Sequence, residues 1–159
     1  GRFLKPEIQV ATLRLARAQV AYAGGEFQQS LAELNSKVKS SSPVDKMLER
    51  KYRVFCYYDL DRLDMCESTI ASFQKFLSRN QELGTDLKTR VKNFLNGVAK
   101  LIHYRGNSEA LTKLAYTIRN SGKIMDAEWI LERIEKWILS TQDCFSNSAI
   151  DYRLFSVNS

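Results

Sequence analysis

The fold is decided by two short stretches of sequence, AQVAYAGGEFQQSL at residues 18–31 and YYDLDRLDMC at residues 57–66. Each combines small and aromatic residues with a short turn and a further apolar run. The two turns, Gly24-Gly25 and 59–61, lie about 36 residues apart. Helical hairpins that recur near this period are typical of an α-solenoid, because one hairpin cannot bury its apolar face without a neighbour.

Apolar spacing predicts further helices on both sides of these stretches. Only seven Gly and two Pro interrupt 159 residues, which favours long helices over many short strands. We expect three hairpins, a final helix and a polar tail, at about 6–39, 43–79, 86–120, 126–140 and 141–159. The sequence therefore predicts an all-α protein of about seven antiparallel helices in a single domain, 1–140. Its abrupt start is compatible with a piece of a longer chain.

Two local patterns define particular helices. Ser42 can cap the third helix, with Pro43 at the first helical position and Asp45 three residues after the cap. The clearest apolar stripe predicts the fifth helix, through residues spaced alternately four and three apart: Leu87, Val91, Phe94, Val98 and Leu101.

The three cysteines, Cys56, Cys66 and Cys144, show no Cys-x-x-Cys spacing and have only one histidine to accompany them. This set is atypical of a disulfide framework or a zinc site, so we expect buried structural thiols and a reducing, cytoplasmic environment. No run of apolar residues approaches the roughly 20 that a membrane helix needs, which predicts no membrane partner.

The net charge of +6 is unevenly distributed. Residues 1–53 contain ten Lys/Arg against five Asp/Glu, whereas residues 106–159 contain six against seven. Any acidic partner is therefore expected to contact the N-terminal half.

The two opening stretches resemble the tetratricopeptide-repeat superfamily, in which small and aromatic residues precede a Gly-acid-aromatic turn and a small residue follows it. The first stretch contains this turn as Gly25-Glu26-Phe27. In the second stretch Asp61 replaces the glycine and Cys66 the small residue, and both units lack the hallmark Trp. The resemblance covers about residues 10–80, and the chain is also similar to such regions of bacterial proteins that have no assigned activity.

The resemblance implies a right-handed superhelix whose concave groove is lined by the first helix of each hairpin and binds peptides or proteins. The Lys and Asn residues of the family's peptide-carboxylate clamp are not reproduced. We therefore expect a protein-interaction scaffold, with a peptide or protein partner of acidic character on these six residues: Arg14, Arg17, Ala21, Arg50, Arg53 and Tyr57.

The sequence contains no complete motif for nucleotide binding, calcium binding or histidine-dependent catalysis. Gly24-Gly25 lacks the spacing and the Lys-Ser/Thr of a phosphate loop, and a turn explains it. The acidic run 59–64 lacks the glycine and terminal Glu of a calcium loop, so capping of the fourth helix explains it better. His103, the only histidine, has no local residue to orient it, and a helix-end or surface position is favoured. We expect no enzyme activity, catalytic residue, metal or cofactor.

An alternative function is the binding of nucleic acid by the basic N-terminal half. Tyr52, Phe55 and Tyr58 are interleaved with arginine and lysine on one predicted helix, a mixture that can stack on bases and contact phosphates. The same aromatic spacing is typical of a seam between packed hairpins, and we favour this interpretation.

Overall fold

The computed structural model describes the backbone of residues 5–40 and 42–155, with side chains described up to residue 144. Within these ranges the protein is all-helical, as predicted, and contains seven α-helices. In chain order they are α1 (Pro6–Ala23), α2 (Phe27–Leu34), α3 (Pro43–Asp59), α4 (Leu63–Arg79), α5 (Thr85–His103), α6 (Ser108–Asn120) and α7 (Ala127–Phe155). The chain forms two compact units, unit 1 (Gly1–Lys88) and unit 2 (Thr89–Ser159), so the domain predicted over 1–140 spans both.

Unit 1 is built from two helical hairpins. Helix α1 packs against α2 and α3, α2 also contacts α3, and α3 packs against α4. The predicted cap of α3 is confirmed, because the Ser42 hydroxyl accepts a hydrogen bond from the Asp45 amide and Pro43 opens the helix. The core of unit 1 contains Ala18, Leu34, Val54, Cys66 and Phe73, all essentially without solvent exposure.

The turns of the two hairpins repeat the same hydrogen bonds at an offset of 36 residues. In the first, the Gly25 amide donates to the Tyr22 carbonyl; in the second, the Asp61 amide donates to the Tyr58 carbonyl. Gly25 and Asp61 both have a left-handed backbone, with φ of 79° and 59°. Asp61 therefore occupies the glycine position, as predicted, because aspartate tolerates this conformation better than most residues.

The repeat extends from the turns into the packing between helices. The buried Ser30 hydroxyl donates to the Ala18 carbonyl at 2.8 Å. Thirty-six residues later, the Cys66 thiol lies 3.6 Å from the Val54 carbonyl in the same relation. The small side chains of Ser30 and Cys66 let the two helices of each hairpin approach closely.

Helix α2 ends at Leu34, five residues before the end predicted for the first hairpin at 39. Two arginines explain the early end. Arg14 Nη1 donates to the carbonyls of Glu33 and Leu34 at 3.0 and 3.1 Å, and Arg53 Nη2 donates to the Leu34 carbonyl at 2.6 Å. These bonds satisfy carbonyls that a longer helix would have paired internally.

Unit 2 contains four of the five residues of the predicted α5 stripe, Val91, Phe94, Val98 and Leu101, and all four are fully buried. The first residue of the stripe, Leu87, lies in unit 1 and is half-buried. The Phe94 ring meets Trp129 of α7 edge-on, at 6.1 Å between centroids. Gly97 marks the closest approach, because a Cβ atom there would lie 2.8 Å from Ile130 Cδ1. Helix α6 packs against α7 and is capped by Asn107, whose side chain accepts from the Ala110 amide.

Helix α7 continues to Phe155, beyond the end at 140 that the sequence predicted. No glycine or proline interrupts 140–155, so nothing in the local sequence stops the helix, although its apolar spacing fades. Residues 1–4 and 41 of the predicted domain and 156–159 of the predicted tail lie outside the described residues.

Candidate functional site

An open groove of about 780 Å³ lies on unit 1, along one face of α4. We call it the Arg50 groove. Arg50 of α3 lies on one side, and the turn after α4 closes one end with 80–82. Its length is formed by residues at helical spacing on α4: Ser68, Ala71, Ser72, Lys75, Phe76 and Arg79.

The α4 stripe is largely exposed. Ser68, Ala71 and Ser72 at one end are exposed and small, so a ligand's backbone can approach the helix closely there. Lys75 and Arg79 at the other end are exposed cations one helical turn apart. Three cationic side chains line the groove, and Glu82 is its acidic residue, so the groove favours a ligand that brings negative charge.

Arg50 is held in place by two described contacts. Its guanidinium lies over the Phe76 ring, 4.0 Å from the centroid, and Nη1 donates to the Lys46 carbonyl at 3.1 Å. Within the described side chains it forms no ion pair with a carboxylate. Burial, reinforced by the charge of Arg53 and partly opposed by Glu49, lowers the pKa of Arg50. A carboxylate from a ligand would offset the unfavourable effect of burial on the charge of Arg50.

Arg14, predicted to face a partner, requires correction: it lies in the interior of unit 1 with only 4% of its surface exposed. Its guanidinium forms an ion pair with the buried Glu49 and also hydrogen bonds to Ser40, besides the two α2 carbonyls. A fixed set of internal partners thus occupies this cation, which joins α1, α2 and α3. We remove it from the surface that a partner could contact.

Two further predicted residues are also engaged internally. Arg53 is half-buried, caps α2 through Leu34 and has its Nε 3.3 Å from Asn35 Oδ1. Burial lowers the pKa of Arg53, while Glu49 raises it. Tyr57 is only 8% exposed. The structure therefore uses both residues to pack α3.

The last two predicted residues lie on α1, outside the Arg50 groove. Arg17 is exposed and Ala21 is half-buried. Of the six residues predicted as a partner surface, the groove contains only Arg50. The structure brings three of the predicted arginines, Arg14, Arg50 and Arg53, around α3, and of these Arg50 lines the groove.

Sequence reasoning missed the α4 part of the groove, including Lys75, Phe76 and Arg79. The sequence did contain a signal for this exposed face. Residues at helical spacing on α4 include no large aliphatic side chain at positions 68, 71, 72, 75 and 79. Such a stripe indicates an exposed helix face. The position of Arg50 over Phe76 could not be read from it, since the two residues belong to different helices.

Groups capable of chemistry are scattered in the part of the chain that the structure describes. His103 is exposed at the end of α5, beside Tyr104. Cys56 and Cys66 are buried as predicted, whereas Cys144 is exposed on α7, so the prediction of a buried thiol is wrong there. Among the described side chains, no three His, Cys, Asp or Glu residues lie together as metal ligands.

Comparisons with protein-family models, curated proteins and solved structures give no match to this chain. None of the helices searched in the described residues has both the length and the apolar character needed to cross a bilayer. The case for function therefore rests on the geometry of the chain itself.

Proposed function

We propose that the protein is a non-catalytic interaction scaffold and that unit 1 holds a protein partner in the Arg50 groove. The observation that carries this proposal is an open cavity of about 780 Å³ whose lining combines three cations, one aromatic ring and a row of small residues. Such a lining offers charge pairing at one end and close backbone contact at the other. Clusters of basic side chains bind acidic peptide segments, and grooves bind amphipathic partner helices.

We further propose that the two hairpins are degenerate tetratricopeptide-like repeats, stacked as in a right-handed superhelix. The turns and the Ser30 and Cys66 contacts recur at an offset of 36 residues, which supports a repeated hairpin unit of that length. Repeats of this kind bury their apolar faces against neighbours and leave an end surface to bind others. The free thiols Cys56 and Cys66 are compatible with a reducing compartment such as the cytoplasm.

The groove assignment can be tested by filling the groove. Ala71→Trp places a large ring among exposed residues on α4, while Arg17→Trp introduces the same ring on the exposed face of α1 as a matched control. Both variants should keep the circular dichroism of the wild type. We expect proteins retained on the immobilised wild-type chain and on Arg17→Trp to be lost from Ala71→Trp. If Ala71→Trp retained the same proteins, the groove would not be the binding site.

Nucleic acid is the competing partner, and a direct measurement of oligonucleotide binding tests it. We expect fluorescence anisotropy to show no binding of single-stranded or duplex oligonucleotides to the chain, even at low salt. Binding that falls steeply as salt is added would instead indicate phosphate contacts. Arg14 and Arg53, two cations of the basic N-terminal half, are already engaged by carbonyls and Glu49, which disfavours this alternative.

A further inference from the structure

Arg50 occupies in the second hairpin the position that Arg14 occupies in the first. The two arginines are 36 residues apart, the offset that relates the two turns. The residues that they contact are also 36 residues apart: Arg14 bonds to Ser40, and Arg50 stacks on Phe76. The equivalence is limited to the end of the groove around Arg50 and Phe76, because groove residues 79–82 correspond to 43–46, the first turn of α3 itself. At that end, the occupant of the equivalent site in the first hairpin is known.

That occupant is an α-helix. Helix α3 covers the first hairpin, and its Glu49 pairs with Arg14 while remaining only 6% exposed. Leu48 and Tyr52, on either side of the glutamate in sequence, pack on the apolar surface beneath α3. That surface is formed by Leu15, Ala18 and Leu34.

The second hairpin has the arginine, but the residue 36 positions after Glu49 is Thr85, at the start of α5, so this chain provides no carboxylate at that position. Arg50 is half-buried, and no described carboxylate pairs with it, although Glu49 on the same helix contributes a favourable field. From Ser68 to Arg79 the groove follows α4 for about 16 Å, given a rise of 1.5 Å per residue. This length matches about three turns of a second helix laid along it.

We propose that the Arg50 groove binds an amphipathic α-helix of another protein, which places a glutamate on Arg50 as α3 places Glu49 on Arg14. This proposal rests on the proposed function and specifies an amphipathic helix as the class of partner that the groove binds. Lys75 and Arg79 would receive further acidic side chains of the incoming helix, and Ser68 and Ser72 would allow close contact. Charge complementarity and the observed occupant of the equivalent surface both favour such a helix.

A second copy of this chain is a poorer occupant. In a head-to-tail stack, α1 of the next copy would take the place of α3, and the residue 36 positions before Glu49 is Leu13. Leu13 is exposed, as are Val10 and Val20 on the same helix. This face would bring apolar side chains and no carboxylate to Arg50, which would leave the charge of Arg50 unpaired.

The sequence of α3 itself provides a test ligand. The probe is a fluorescein-labelled peptide of residues 43–59, with Cys56→Ser to prevent oxidation, and its matched control also contains Glu49→Gln. We expect the glutamate peptide to bind the full wild-type chain about tenfold more tightly than the glutamine peptide, as one charge-assisted hydrogen bond allows. The preference should disappear for the Arg50→Gln chain and persist for Arg17→Gln, which changes an exposed arginine outside the groove.

Each other outcome overturns the inference. If both peptides bind equally and Ala71→Trp abolishes binding, the groove binds helices without reading a glutamate, and the proposed function stands. If the preference survives Arg50→Gln, the peptide is exchanging with α3 at Arg14. If neither peptide binds, the helix proposal is wrong, and the retention experiment with Ala71→Trp decides the proposed function separately.

Discussion

The buried pair of Arg14 and Glu49 should contribute more to the stability of unit 1 than any surface charge does. Arg14→Met leaves Glu49 buried without its cation and removes one donor each from the Glu33 and Leu34 carbonyls. Breaking a buried ion pair from one side costs about 3–5 kcal/mol. Arg53 still lies near Glu49 and still bonds Leu34, so we expect a loss near the lower end, about 3 kcal/mol.

The matched control is Arg50→Met, the same substitution 36 residues later. Arg50 is half-buried, stacks on Phe76 and has no ion pair with a described carboxylate. A cation–π contact at a partly exposed site contributes about 0.5–1 kcal/mol, and the hydrogen bond to the Lys46 carbonyl contributes about 0.5–1.5 kcal/mol. This variant should therefore lose at most about 2.5 kcal/mol, less than Arg14→Met. The double variant Arg14→Met/Glu49→Leu should regain part of the stability lost by Arg14→Met, because it removes both buried charges together.

Urea unfolding followed by far-ultraviolet circular dichroism measures these free energies. Both tryptophans lie in α7, so tryptophan fluorescence reports on unit 2 and serves as an internal reference. A shift in circular dichroism without the same shift in fluorescence would locate the loss in unit 1. If Arg14→Met lost no more stability than Arg50→Met, the structural role assigned to the buried pair would be wrong.

Two further predictions concern packing and thiol chemistry. Gly97→Ala should be neutral or destabilise by up to about 2 kcal/mol, because crowding against Ile130 Cδ1 offsets or outweighs the gain in helix propensity. In an Ile130→Val background, which lacks that atom, Gly97→Ala should stabilise the protein by up to about 1 kcal/mol. Fluorescence-detected unfolding measures both effects. Equal effects in the two backgrounds would contradict the close approach of Gly97 to Ile130. With a thiol reagent at pH 8, the exposed Cys144 should react first, since burial shields Cys56 and Cys66 and raises the pKa of Cys56, which leaves less thiolate. Rapid reaction of all three thiols in the native chain would contradict the buried positions.

The helices of this protein were predictable where periodicity and local caps act together. The stripe from Val91 to Leu101 is buried as its spacing indicates, and Ser42 caps α3 with Pro43 behind it. The left-handed turn at Asp61 was also predictable, because it aligns with Gly25 at the repeat offset. These features depend on residues close together in the sequence.

The candidate site was less predictable, because it depends on contacts between distant residues. Arg14 and Arg50 look alike as basic residues on a first helix, yet one is buried with Glu49 and the other opens onto a groove. The difference arises because α3 covers the first hairpin. The end of the second hairpin predicted at 79 matches the end of α4, so Lys75 could be placed on that helix. Its position in one groove with Arg50 could not be predicted, because it depends on how α3 packs against α4.

The central claim is that the Arg50 groove is where a partner helix binds. Its most direct test is a nuclear magnetic resonance titration of the full ¹⁵N-labelled chain with the glutamate peptide. We expect amide shifts along 68–82 and a shift of the Arg50 Nε–H resonance, each strongly reduced with the glutamine peptide. Shifts confined to the exposed face of α1, or to unit 2, would contradict the claim.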